Sequence, residues 1–449
     1  MASTYFKKAQ VAVACALLFG QVTQAHAVGL IQAYQAALQN DPQHRAAIAD
    51  NQAGQQHEVM GRSALFPQAQ FSYSLGKNRG DQTSPDFLGK PHRSDLDYRS
   101  SSSGLTIRQT LFNVETFTRY KQSIAQTQLS NAQFDARSKD LMVRVVLAYV
   151  EAKYAEDQLA LNRAQRDAYA EQKAANDRLF LKGEGTKTDM LETQAKLDVA
   201  EASVIESTDN VMNARNALAS IMGGEVPSLD SLREGFELPV LVQGSLDEWK
   251  TTAERNNPEL TAAQLALDIA EQEITKNKGG HAPRLDLNAS YSRGKSETLA
   301  TQKQDSNIRT LGVQLVIPIF SGGYVNAAIN QAVAQKEKAR ADMDATRNKV
   351  VNELIKQYRF VKSSEAKIMA LRKSVASSLA LVEATKQSIK GGIRINIDLL
   401  NAQQQLAATQ RDLAQAHYGY LASFLRLKVA AGVANLDDLK TIAGFFVAN

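Results

Sequence analysis

One stretch of this chain, Asn113 to Lys182, holds neither glycine nor proline across seventy residues. A second, Tyr324 to Lys390, does the same across sixty-seven. Both are dense in Ala, Gln, Lys, Asp and Leu. Inside a helix glycine costs about 1 kcal/mol and proline about 3, so their exclusion over this length predicts two continuous helices. At about 1.5 Å of rise per residue, each is roughly 100 Å long. A chain of 449 residues ordinarily divides into two or three compact domains. Helices of this length predict one elongated body instead.

The N-terminus carries the three parts of a secretory signal in order: Lys7 and Lys8, the apolar run Ala9 to Leu18, and the small-residue site Ala25-His26-Ala27. Residues 1–27 therefore read as a signal peptide, and the apolar run is too short for a membrane anchor. Removing Lys7 and Lys8 with this leader lowers the formal charge from +5 to +3. The remaining basic residues are interspersed with acidic ones along the helices, which reads as solvated faces and intrahelical pairs. That balance gives no support to nucleic-acid binding. The single cysteine, Cys15, lies inside the leader, so the mature chain is expected to carry no thiol, disulfide or lipidated cysteine.

The rest of the chain is one unit repeated. Asn40-Asp41-Pro42 recurs as Asn256-Asn257-Pro258 and Pro67 as Pro283, at an offset of 216. Gly104 recurs as Gly312, and Leu111-Phe112 as Ile319-Phe320, at 208. Tyr149 matches Tyr358, and Asp189-Met190-Leu191 matches Asp398-Leu399-Leu400, at 209; Leu229-Asp230-Ser231-Leu232 matches Leu436-Asp437-Asp438-Leu439 at 207. The repeats span 28–232 and 245–449, joined by 233–244, in which Leu238-Pro239-Val240-Leu241 suggests a small extended piece. Each repeat opens with a short helix, Leu30 to Leu38 in the first, followed by an Asx-Pro helix start. Asp41 or Asn257 can cap there, and the proline suits the first helical position.

After each opening pair of helices the period changes from helical to two. From Pro67, Gln68, Gln70, Ser72 and Ser74 alternate with Ala69, Phe71, Tyr73 and Leu75. From Pro283, Arg284, Asp286, Asn288, Ser290 and Ser292 alternate with Leu285, Leu287, Ala289 and Tyr291. Strands are predicted at about 67–77, 102–112, 283–293 and 309–320, with the polar segments 78–101 and 294–307 as loops. In the second strand Leu105, Ile107 and Leu111 share one parity. A long helix follows each hairpin, 113–182 and 324–390, and ends at a glycine break. Return helices then run over 187–222 and 395–429.

Strands of about ten residues with one apolar and one polar face fit a transmembrane barrel better than a pair of soluble hairpins packed on helices. Four strands cannot close a conducting barrel, and lipid forbids open sheet edges. The missing strands must come from other copies of the chain, so the fold predicts an oligomer in contact with membrane lipid.

Taken together, these features resemble the TolC family of trimeric outer-membrane channels. The likeness covers about the whole mature chain. It rests on the duplicated helix, hairpin, long helix and return helix, on the Asx-Pro openings, and on Pro318-Ile319-Phe320-Ser321-Gly322-Gly323. The opening from Leu30 to Pro42 is most similar to members that serve type I protein secretion. The resemblance implies an α+β membrane protein: a homotrimer sharing a 12-stranded outer-membrane β-barrel, continued by a periplasmic α-helical tunnel. It implies a passive exit duct for secreted protein cargo, coupled to a periplasmic adaptor (membrane fusion) protein and an inner-membrane ABC transporter. The rival within the family is a multidrug efflux duct, working with an RND pump. Many efflux ducts carry a lipidated cysteine, which leans the reading towards secretion.

The family's periplasmic gate lies at the helix–helix turn. By resemblance Asp398 corresponds to the acidic constriction residue of the second repeat and Arg394 to the basic residue four positions earlier. Thr188 and Asp189 correspond to their partners in the first repeat. Three copies of Asp398 around an axis would favour cations at a narrowing, and an Arg394–Asp189 ion pair would hold neighbouring hairpins closed. Asn401 stands where some members carry a second acidic residue, and Ile389 where they carry a tyrosine. Read without the resemblance, Asp189 and Asp398 are equally well acids that begin helices.

Phe71, Tyr73, Tyr291, Phe112 and Phe320 fall near strand ends, where aromatic belts form. Phe112 and Phe320 fit equally well as packing at the junction between barrel and helices. The histidines at 26, 44, 57, 92, 281 and 417 show no metal-ligand spacing, and no glycine-rich phosphate loop occurs. No catalytic constellation, metal or cofactor is predicted. Beside the channel stands one other class, a non-conducting periplasmic rod of helices.

Overall fold

A computed structural model describes residues 27–233, 244–296 and 304–447. The predicted leader, the Leu238-Pro239-Val240-Leu241 piece and the centre of the 294–307 loop lie outside those residues. The chain forms two compact units. One contains residues up to Ile48, Asp135–Asn257 and those from Asn348; the other contains Ala49–Phe134 and Pro258–Arg347.

The second unit is built on an antiparallel four-stranded sheet in the order β1-β2-β4-β5. Its strands are β1 (Gln68–Pro85), β2 (Pro91–Phe112), β4 (Arg284–Ser296) and β5 (Gln304–Val316). The first hairpin is longer than its apolar alternation suggests, and most of the predicted 78–101 loop is strand. β1 and β2 pair without interruption from Gln68 opposite Arg108 to Pro85 opposite Pro91. The alternation continues there in charged form: Asp97 pairs with Arg79 at 3.2 Å and Lys77 at 3.8 Å, and Asp81 with Arg93 at 3.2 Å. Pro85 and Pro91 stand at the strand ends, where a missing N–H costs the ladder nothing. The Asp86 carboxylate closes the turn by accepting from the Leu88 and Lys90 N–H groups at 2.8 and 2.9 Å.

Two further strand expectations need correction. The fourth strand ends at Val316 rather than 320, because Pro318 has no N–H to donate. The shared parity of Leu105, Ile107 and Leu111 is broken by a bulge between Thr110 and Phe112, so that Phe112, not Leu111, pairs with Leu285 in that row.

In the first unit the helices meet in coiled-coil fashion. On α7 (Tyr324–Lys390), Leu354, Val361, Ile368 and Val382 are buried at steps of seven or fourteen residues. Gln357, Ser364, Ser378 and Thr385 are buried three residues after Leu354, Val361, Val375 and Val382, while the position three after Ile368 is the half-buried Leu371. This is an a/d seam whose d positions are mostly polar and small, which lets the helices approach closely. α3 (Val114–Leu181) carries its own buried face in Leu141, Val145, Tyr149 and Ala152. It is also threaded by i,i+4 pairs such as Arg144–Asp140 and Lys173–Asp177. Each such pair stabilises a helix by about 0.2–0.5 kcal/mol.

The return helices α4 (Lys187–Met222) and α8 (Asn396–Ala430) end in the same way, each against an Asx-Pro junction. Asn40 donates to the Met222 carbonyl at 2.8 Å, and Asn257 to the Ala430 carbonyl at 2.9 Å. Gly432, at φ +76°, lies so close to the Asn256 carbonyl that a Cβ there would stand 2.2 Å from its oxygen. Only glycine satisfies both demands. Elsewhere in this unit, Tyr149 gathers distant parts of the described chain. Its hydroxyl donates to the Val28 carbonyl at 3.0 Å and accepts from the Asp230 N–H at 3.1 Å. Its ring meets Phe446 edge-on at 5.3 Å, and Phe446 pairs with Leu232 in the two-stranded sheet β3 (Ser231–Leu232) and β6 (Phe446–Val447).

Asp41 caps the second helix, α2 (Pro42–Ser63), through the His44 N–H at 2.9 Å, and Arg144 grips both its oxygens at 2.7 and 3.3 Å. Burial raises the Asp41 pKa, but the Arg144 and backbone hydrogen bonds outweigh it and hold the carboxyl below its usual range. Arg144→Met leaves this buried carboxylate unpaired. The expected loss is about 2–3 kcal/mol in urea denaturation, at the low end for a buried pair because the arginine is itself partly exposed. Because the folded pKa is depressed, the pair's contribution is present at neutral pH and disappears as pH falls through that value. The difference between wild type and variant is therefore expected to shrink in acid.

Candidate functional site

Two features of the chain are the candidates for a functional site: the pair of helix–helix turns in the first unit and the two-faced sheet of the second. At the first turn α3 ends in a Schellman motif. The Gly183 N–H donates to the Phe180 carbonyl and the Glu184 N–H to the Leu179 carbonyl, with Gly183 at φ +75°. The second turn repeats this 209 residues on: Gly392 to Ile389 and Ile393 to Ser388, with Gly392 at φ +73°.

Beyond the glycines the two turns diverge. Thr186 caps α4 by accepting from the Asp189 N–H at 3.1 Å, and its hydroxyl donates to the Asp189 carboxylate at 2.6 Å. The equivalent cap position of α8 is Ile395, which has no side-chain cap. Asp189 is thus held by its own helix start. Asp398 occupies the same place in the first turn of α8, where the positive end of the helix dipole favours its charge. Among the described residues no side-chain partner accompanies it. Thr188 and Arg394 are exposed. The structure does not bring Arg394 and Asp189 together as an ion pair within one chain. Asn401 is exposed, and Ile389 packs against the apolar cluster of Val382, Leu399 and Ala402.

A buried polar cluster just behind the turns escaped the sequence reading. Thr193 of α4 accepts from Asn176 of α3 at 2.7 Å and from Asn396 of α8 at 3.0 Å, and donates to the Asp189 carbonyl at 2.7 Å. Gln172 donates to Asn396 at 2.8 Å and to Asn176 at 3.2 Å. Four side chains thereby tie both return helices to the first long helix. The signal was present in the i,i+4 spacing of Gln172 and Asn176, but a polar pair on an otherwise polar helix is indistinguishable from a solvated face. Thr193→Val keeps the shape and removes the hub, stranding two buried amide donors. A loss of about 1–3 kcal/mol is expected. Faster amide exchange at the turns than elsewhere in the chain would locate the effect.

Among the described residues of a single chain nothing covers either face of the sheet. Residues 68–75 are all exposed. One face carries Phe71, Tyr73, Leu75, Leu105, Ile107, Tyr291, Leu311, Val313 and Leu315, each between 37% and 77% exposed. The opposite face carries Gln70, Ser72, Ser74, Ser102, Thr106, Asn288, Ser290 and Thr310 at the intervening positions. Near the helical end of that face Asp286, 2% exposed, accepts from Arg108 at 2.6 Å and Thr110 at 3.2 Å. Of the predicted aromatic residues, Phe71, Tyr73 and Tyr291 stand on the apolar face, Phe112 at its helical end, and Phe320 beyond the strand at 88% exposed. Among the described residues no helix is long and apolar enough to cross a membrane.

The chain matches the profile of the family described as "Outer membrane efflux protein" over residues 33–224 and 249–433. It is 40% identical over 426 residues to the alkaline protease secretion protein AprF of Pseudomonas aeruginosa, covering 94% of this chain and 88% of that one. It is 35% identical over 429 residues to the proteases secretion protein PrtF of Dickeya chrysanthemi, covering 94% and 92%. The solved structure of the Campylobacter jejuni CmeC outer membrane channel superposes with a TM-score of 0.78 at 17% identity, covering 93% of this chain and 90% of that one.

Proposed function

This chain belongs to the outer membrane efflux protein family, the TolC family of transport channels rather than enzymes, and on that premise we propose that it is the outer-membrane exit duct of a type I protein secretion machine. The observation that carries the reading is the two-faced sheet. A contiguous apolar face left open in one chain needs a cover, and the face opposite is polar and lined with small side chains. Lipid on one side and water on the other satisfy both. The strands β1 and β5 are sheet edges whose backbone groups lipid cannot satisfy. Three copies contributing four strands each close a twelve-stranded barrel and remove every edge. Tyr73 and Tyr291 towards the strand tips, with Phe112 and Phe320 towards the helices, then serve as the two interfacial belts.

The helical part supplies a periplasmic conduit, and its turns the gate. Asp398, uncapped by any side chain, is the ring residue that concentrates negative potential at the narrowing. Arg394, exposed and unpaired with acid within its own chain among the described residues, reaches Asp189 or Thr188 of a neighbouring copy and latches the closed state. Leu181 and Ile393, 84% and 83% exposed at the two turns, offer apolar surface for a periplasmic adaptor, behind which an inner-membrane ABC transporter supplies the energy. The names of AprF and PrtF favour protein cargo over drugs, and make a secreted protease the first cargo to look for.

Deleting the gene is expected to remove one or a few large proteins from the culture medium, read by mass spectrometry, while tolerance to a drug panel stays unchanged. Broad drug sensitisation with an unchanged secretome would instead make this an efflux duct. For the gate, replacing both Arg394 and Asp189 with serine is expected to raise single-channel conductance in planar bilayers, whereas unchanged conductance removes them as the latch. Asp398→Ala is expected to weaken block by multivalent cations applied from the periplasmic side.

A further inference from the structure

We propose that the apolar face of the sheet ends, on its tip side, in a basic band that binds the phosphate groups of anionic lipids in the outer leaflet; this rests on the barrel reading above. The tip side is the end marked by the Asp86–Lys90 turn, opposite the end where the strands join the helices. The register places Lys77, Arg79, Arg99, Arg293, Lys295 and Arg309 on the same face as Phe71, Leu105 and Tyr291, just beyond them or at their edge. Over those rows only two carboxylates share the face. Asp97 is taken by Arg79 and Lys77, and Asp305 lies 3.4 Å from both Arg293 and Lys295. Arg99 and Arg309 have no carboxylate partner among the described residues.

The distribution between faces decides what the band is for. If these rows were merely strand projecting into water, charge would appear on both sides. The other face of the same rows instead carries Ser72, Ser74, Ser100, Ser102, Ser292 and Ser306, and no charged residue. The cations therefore belong to the side that meets lipid. Arg309 lies over the Tyr291 ring, 5.8 Å from its centroid, so its guanidinium is held at the rim of the apolar band. An aromatic ring beneath a cation is the arrangement suited to a headgroup boundary. The first basic residue also comes earlier along the second hairpin than along the first: Arg309 shares a row with Phe71, six residues before Lys77. A level membrane boundary cuts tilted barrel strands obliquely in this way. Guanidinium groups on a fixed lattice match phosphate oxygens in charge and geometry, which makes phosphorylated lipid the occupant.

The test compares wild type with the R99Q/R293Q/K295Q/R309Q variant, both extracted from their own outer membrane in mild detergent. Phosphorylated lipid retained per channel, measured by native mass spectrometry, is expected to fall by at least about tenfold in the variant, since four near-surface cations are lost. Adding diphosphoryl lipid A to the delipidated channel is expected to raise the thermal midpoint of wild type only, and dephosphorylated lipid A that of neither. Equal retention and equal midpoint shifts in the two proteins would overturn the proposal. So would an equal shift from inorganic phosphate alone, which would mean a free-anion site, or a loss of channel-to-channel crosslinks with lipid retention unchanged, which would mean the band meets a second barrel. Single-channel conductance is read in parallel and is expected to be the same for both. A wild type that neither inserts nor conducts would refute the channel reading itself, separately from the lipid measurement.

Discussion

Backbone hydrogen bonding at the sheet edges governs what this chain can be. β1 and β5 each present a row of N–H and C=O groups with no partner strand among the described residues. In water such an edge invites aggregation, and in lipid each unsatisfied group costs several kcal/mol. The apolar face sharpens the demand, because a sheet with Leu311 77% exposed and Leu75 70% exposed has not finished burying its surface. In the proposed channel, closure with other copies answers both problems at once. On that reading the oligomer follows from the sheet before any helix is considered.

The helices face a different constraint, which is to stay continuous over great length while packing closely. The α7 seam meets it with aliphatic a positions and mostly polar d positions, Gln357, Ser364, Ser378 and Thr385. A seam of this kind trades apolar area for close approach. The Thr193 hub then supplies the specificity that the small residues do not. It fixes the relative register of three helices through hydrogen bonds with defined geometry.

How much of this could be read from the chain depended on whether the signal was local. Val114–Leu181, Lys187–Met222 and Tyr324–Lys390 were legible because exclusion of glycine and proline is written into every turn. The two-faced strands were legible where Phe71, Tyr73 and Leu75 alternated with Gln70, Ser72 and Ser74. They ceased to be legible where Lys77, Arg79 and Asp81 continued the ladder with charges, since a polar run resembles a loop until its partner strand is known. The bulge at Leu111 was hidden for the same reason, because it exists only in the pairing with β4. At the turns, Asp189 and Asp398 could be matched by the repeat. That Thr186 already engages Asp189, while Ile395 leaves α8 without a side-chain cap, comes from a difference at one position of the repeat.

Tyr149 has a consequence for the order in which the chain acquires its structure. Its hydroxyl binds the carbonyl of Val28 and the N–H of Asp230, and its ring is closed over by Phe446. The start, the middle and the end of the described chain thus share one residue's surroundings. The cluster therefore joins residues more than four hundred positions apart, and a nascent chain leaves it open until Phe446 has been made.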